Sequence, residues 1–129
     1  MARVTRAGKE DFVEIHKLLL GIFPDAAANI GANDDFFVAK DPDVVGFAHY
    51  CEDKERIILK GFGVAEKYRK GGVGGLLLDR LVGYAKRKRK NVYLKAKVGN
   101  PALRLYCSKG FCFKRIKGET LTLVFRIAN

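Results

Sequence analysis

The sequence predicts a single mixed α/β (α+β) domain spanning residues 1–129. Short β-like apolar runs alternate with runs of helical period, and Gly, Pro, Asn and Asp separate them. No Gly/Ser linker or internal repeat divides the chain. Hydrophobic residues make up 48% of it, and a chain of this length buries about two-thirds of its unfolded surface. No stretch reaches the ~18 apolar residues of a membrane span, and Met1 to Arg6 holds no apolar signal core. The expected compartment is the cytoplasm.

Arg3 to Arg6 reads as a first strand. Lys9 to Ile22 has a helical period, with Phe12, Ile15, Leu19 and Ile22 on one face and Glu10 and Asp11 in the first turn. Phe23 to Asp35, with its Ala26-Ala27-Ala28 run, reads as a short second helix between loops. Phe36 to Lys40 and Val44 to Glu52 are strands on either side of the Asp41-Pro42-Asp43 turn. Arg56 to Val64 is the next strand. From about Gly72 to Arg89, Val73, Leu77, Leu81 and Tyr84 share one helical face. Asn91 to Val98 is β-like. Asn100 to Lys109 reads as a helix with Asn100 at the N-cap and Pro101 in the first helical position. Phe111 to Ile116 and Thr120 to Ile127 form a hairpin across Lys117-Gly118-Glu119. The order is β-α-α-β-β-β-α-β-α-β-β.

The most informative segment is Glu66 to Leu78, which joins strand to helix through a basic, glycine-rich turn. Glycines admit close backbone approach, and the unpaired N–H groups of a helix start attract anions. A nucleotide loop of the G-x-x-x-x-G-K-[ST] type is absent. The dinucleotide pattern also fails, because Lys95-Ala96-Lys97 stands where its acidic residue belongs. What fits is Arg-x-x-Gly-x-Gly at Arg69, Gly72 and Gly74. Downstream, Asn100-x-Ala102-x-x-x-Tyr106 and then Gly110-Phe111 form a second pattern. Together they resemble the GNAT superfamily of acetyl-CoA-dependent N-acetyltransferases, best over Arg56 to Phe113. The resemblance implies a central, largely antiparallel mixed sheet of about 6–7 strands, splayed in the middle and flanked by about four helices.

It also implies a site. The cofactor would be acetyl-CoA, with CoA as product. Its pyrophosphate would rest on Arg69, Lys70, Gly71, Gly72, Val73, Gly74 and Gly75, and its pantetheine arm on Phe62, Gly63 and Val64. The Val64 N–H would polarise the thioester carbonyl, and Tyr106 would protonate the leaving sulfur. A phenol of pKa about 10 stays protonated beside a thiol near 8.5. Asn100 would contact the pantetheine or cap its helix. The usual strand glutamate is absent, since the central strands carry Lys60, Lys95 and Lys97. Glu52 and His49 are the remaining candidates for the base, against the blander readings of a turn residue and a packed strand residue. An α-amine, with pKa about 7.7–8, is already partly neutral at physiological pH.

Twenty-five basic residues against fourteen acidic give +11. This disfavours cationic acceptors and favours a small molecule or protein amine of acidic character. The block Lys86-Arg87-Lys88-Arg89-Lys90 reads as the solvated last turn of a helix, with nucleic-acid contact as the alternative. Cys51, Cys107 and Cys112 have no metal spacing and read as small buried hydrophobes. Monomer and homodimer both remain open. Beside the enzyme stand two other classes: a CoA-binding sensor without catalysis, and a basic nucleic-acid module.

Overall fold

The computed structural model describes residues 2–23 and 31–127. Its seven strands form one sheet: β1 (Arg3–Arg6), β2 (Asp34–Lys40), β3 (Val44–Glu52), β4 (Arg56–Val64), β5 (Asn91–Lys97), β6 (Cys112–Lys117) and β7 (Thr120–Phe125). The spatial order is β1-β2-β3-β4-β5-β7-β6. Only β4 and β5 run parallel; every other neighbouring pair is antiparallel. Three α-helices are described: α1 (Phe12–Ile22), α2 (Val73–Lys88) and α3 (Leu103–Ser108). The short helix expected within Phe23 to Asp35 falls largely on residues 24–30, outside the described residues. Asp34 and Asp35 already belong to β2.

The two faces of the sheet have separate cores. Ile15 and Leu19 of α1 pack on Phe36, Val38, Val44 and Phe47. On the opposite face Leu77, Leu78, Leu81 and Ala85 of α2 pack on Phe37, Ala48, Tyr50, Leu59 and Leu94. Covering on both sides explains why β2 and β3 read as near-continuous apolar runs, while β5 alternates buried and exposed. Burial of each α2 leucine contributes about 1.5–3 kcal/mol.

Some boundaries differ from expectation. Lys9–Asp11 forms a 3-10 turn ahead of α1, in which the Asp11 carboxylate accepts the Gly8 N–H at 2.9 Å. The helix expected from Asn100 to Lys109 begins only at Leu103. Asn100 and Pro101 instead form a turn in which Asn100 Oδ1 accepts the Ala102 N–H at 2.8 Å. Two cysteines are not buried: Cys107 and Cys112 are exposed, and Cys51 is half-buried. Cys112 opens the edge strand β6, whose residues are exposed throughout, and Cys107 turns away from the face that buries Tyr106. In the basic block, Lys86 to Arg89 are exposed, whereas Lys90 folds back onto Glu52 at 2.6 Å.

Candidate active site

The central feature is a notch in the sheet. β4 and β5 pair only from Arg56 opposite Asn91 to Leu59 opposite Leu94. Beyond that point β4 stays with β3, and β5 stays with β7. The parting coincides with a bulge: His49 lies opposite Gly61 while Tyr50 lies opposite Leu59, so Lys60 is the extra residue. Bulges sharpen local twist and end pairing. One edge of β4 from Lys60 onward therefore carries backbone groups that β5 does not satisfy.

Strand alternation decides which groups face the notch. The Ala65 N–H donates to Val45 at 2.7 Å, so Ala65 and Gly63 point their polar groups at β3. Those of Phe62 and Val64 then point into the notch. In agreement, the Val64 carbonyl accepts Arg69 Nε at 2.9 Å. Gly63 has a packing reason instead: a Cβ there would lie 2.8 Å from Ile22 Cδ1 and 3.0 Å from Phe47 Cε1.

The glycine turn closes the open end of the notch. Lys70 and Gly72 adopt left-handed conformations, with φ of 67° and 86°. Gly72 is the N-cap of α2, so the first-turn N–H groups at Val73, Gly74 and Gly75 face outward without helical acceptors. These 16 residues of aligned peptide units place about half a positive charge there. A Cβ on Gly72 would meet nothing within 4 Å, whereas one on Gly74 would lie 3.0 Å from Phe62 Cζ and 3.1 Å from Leu105 Cδ2. Gly74 thus lets α2, β4 and α3 close together. Arg69, Lys70 and Gly71 are exposed beside the turn.

Tyr106 of α3 is buried against Phe62 and Phe111, with ring centroids 5.8 and 5.9 Å away. Burial pushes its phenol up to about 12. It lies on the α2 face of the notch, in contact with the same Phe62 whose backbone faces the gap.

A polar cluster occupies the other face. Asp34 Oδ2 receives the Gly31 N–H, Lys60 Nζ and His49 Nε2, each at 3.1 Å. A carboxylate oxygen only accepts, so His49 carries its proton on Nε2 and leaves Nδ1 bare. The His49 ring stacks on Phe36 at 4.4 Å. Nδ1 turns toward β4, because a Cβ built on Gly61 would lie 3.9 Å from it. Burial lowers the His49 pKa below 6.5, and Asp34 only partly restores it. Burial pushes the Asp34 carboxyl up, but the Gly31 N–H, Lys60 and His49 outweigh this and hold it below its usual value.

The two candidate bases therefore occupy different places. Glu52 lies on the α2 face at the paired end of β4, bonded to Tyr84 and Lys90. Burial raises its pKa, but Lys90 and Tyr84 outweigh this and lower it overall. His49 lies on the α1 face at the bulge. Asp34 went unnoticed as a site residue because it stands at the end of a loop-like stretch. Its signal is the alternation Asp34, Phe36, Val38, which places it on the face of His49 once β2 starts two residues earlier.

The gap thus combines a split parallel pair, a glycine turn at a helix start and a buried tyrosine. The model of the acetyltransferase (GNAT) domain matches residues 32–112, and the chain belongs to that family. It is an acetyltransferase of the GNAT type. No curated protein sequence matches the chain. Among solved structures it is similar to NAA60 from Arabidopsis thaliana in complex with a bisubstrate analogue, at 21% identity, covering 98% of each chain with a TM-score of 0.80. It is similar also to the ribosomal-protein-S18-alanine N-acetyltransferase of Escherichia coli, at 18% identity, covering 100% of this chain and 97% of that one, TM-score 0.80. A GNAT family acetyltransferase from Elizabethkingia anophelis with acetyl-CoA bound is 18% identical over 98% of each chain, TM-score 0.76.

The residues present fit acetyl-CoA. The N–H groups at Val73 to Gly75 suit a pyrophosphate, and the open space over Gly72 admits it. The outward backbone of Phe62 and Val64 offers an extended amide chain the hydrogen bonds of a missing strand.

Proposed function

We propose that the chain moves the acetyl group directly to a primary amine in a ternary complex, with His49 as base and Tyr106 as acid. The observation that carries this is their placement on opposite faces of one gap. His49 sits over the bulge on the α1 face, and Tyr106 packs on Phe62 on the α2 face.

Acetyl-CoA supplies an activated acyl carbon and a thiolate leaving group. The Val64 N–H points at the gap, where a carbonyl oxygen gains its partial charge. An amine arriving from the α1 face meets the bare Nδ1 of His49, which takes its proton. Asp34 keeps the other nitrogen protonated and stabilises the imidazolium that forms. Tyr106, protonated at neutral pH, donates to the departing sulfur from the other side. The Arg69-to-Gly75 turn holds the distant phosphates and fixes the register of the arm.

Thermal unfolding with acetyl-CoA, CoA and NAD tests the donor site. Acetyl-CoA or CoA at 100 times the dissociation constant stabilises by about 2.7 kcal/mol. NAD leaves the midpoint in place. Equal shifts with NAD and with CoA would mean that the turn grips phosphate without selecting coenzyme A.

A further inference from the structure

We infer that the uncovered face of β5, β7 and β6 is a docking surface for an acidic polypeptide whose amino terminus is the acetyl acceptor; this rests on the transfer reading above. Pairing places Lys95 opposite Thr122 and Arg115, and Lys97 opposite Thr120 and Lys117. These residues share the face of Tyr93, and the extra residue of the β6 bulge, Lys114, holds its Nζ 5.0 Å over the Tyr93 ring. Five cations thus stand on β5 and β6, on either side of the uncharged β7. All five are exposed. Among the described residues α1 packs on β2 and β3 and reaches β4 at Gly63 through Ile22, away from these strands. Among the described residues no carboxylate pairs with any of the five, and no acidic residue of these strands points to this face.

The placement ties this surface to the gap. β4 and β5 part after Leu59 and Leu94, so Lys60 and Lys95 are the first residues on its two sides. Lys60 faces the same side, through its bond to Asp34. A chain whose amine reaches His49 therefore passes between Lys60 and Lys95 and onto the basic strands. Alternate side chains of a strand repeat at about 6.8 Å and adjacent strands at about 4.8 Å. An extended peptide presents every second side chain at the same 6.8 Å period, so a run of Asp or Glu matches the lysine rows. Like charges so close repel one another, and an acidic chain removes that cost. A nucleic acid suits the charge, but its exocyclic amines are conjugated into the bases and are poor nucleophiles. A polypeptide supplies both an aliphatic α-amine and the carboxylates.

The test is the anisotropy of labelled peptides with free amino termini on CoA-saturated protein. One peptide carries Asp and Glu at alternate positions after the first, and another carries Ser there. The acidic peptide binds about tenfold more tightly, or about 1.4 kcal/mol. Added salt weakens that advantage. The double variant Lys97→Glu, Arg115→Glu abolishes it while keeping the CoA-induced thermal shift, which also reports its folding. Equal binding of the two peptides overturns the inference, as does an advantage that survives the double variant. Single-stranded RNA that binds through Lys97 and Arg115 while the peptides bind equally also overturns it, and assigns the face to nucleic acid. Acidic peptides that dock through these residues but are never acetylated uphold the surface and refute the amine transfer alone.

Discussion

Replacing Asp34 with Asn separates a working His49 from a packed one. The Asp34 side chain is 5% exposed and that of His49 11%, with 3.1 Å between the bonded atoms. When His49 accepts the proton, an ion pair forms there, worth on the order of 4 kcal/mol at an effective dielectric of about 20. Lys60 competes for the same oxygen at 3.1 Å, which reduces that figure. A loss of about 2.7–4 kcal/mol, or about 10²–10³ in kcat, is expected. The pH profile gives a second readout. The groups facing His49 are Asp34 from β2 and Lys60 from β4, while α1 packs on this face with the apolar Ile15 and Leu19. The His49 pKa is lowered from 6.5, so activity is full at neutral pH and falls only as pH drops through the lowered value. Asp34 raises the His49 pKa, so Asn moves the acid limb to still lower pH while the plateau falls. Stability follows the same sign. Both groups are depressed in the fold, so their contributions are present above the unfolded values of 6.5 and 3.8 and are lost as pH falls through the folded ones. The assay is CoA release against pH at saturating acetyl-CoA, with the CoA-induced thermal shift as a folding control. An unchanged rate and an unmoved acid limb in a folded Asp34→Asn protein would refute the dyad.

Tyr106→Phe lowers kcat by about 10²-fold, the low end for a lost proton donor, yet preserves the thermal shift with acetyl-CoA. A variant of full activity would leave Tyr106 only its packing role against Phe62 and Phe111. Because its pKa is pushed up to about 12, the wild-type rate shows no alkaline loss from this group below pH 10 or so. Gly72→Ala meets no atom within 4 Å, so only its φ of 86° opposes it. Strain of about 1–2 kcal/mol, less about 0.4–1 kcal/mol gained from a stiffer unfolded chain, leaves a small net destabilisation. A melting point that rises instead would contradict the left-handed cap.

How legible the site was differed from residue to residue. The strands and both long helices follow from period and punctuation, because an apolar face must find a core and Gly or Asp-Pro must break it. Tyr106 and the glycine turn were readable because each is a spacing along one segment. The roles of Gly63 and Gly74 were not, because each depends on atoms from other elements: Ile22 and Phe47 for one, Phe62 and Leu105 for the other. Glu52 and His49 are three residues apart on β3 and looked equivalent. An odd separation sends them to opposite faces, but only the packing of α1 and α2 says what each face does.

By itself the sequence determined the class of fold, the glycine turn at the start of α2 and the helix that carries Tyr106, since local spacing and backbone chemistry encode all three. Tertiary structure alone decided where the sheet splits, which nitrogen of His49 is bare, and that five cations from two strands share one exposed face. These are facts of register. A bulge at Lys60 ends the pairing with β5, and antiparallel pairing lines up Lys95, Lys97, Arg115 and Lys117 from segments far apart in the chain. Spacing along one segment carries no record of what lies opposite it.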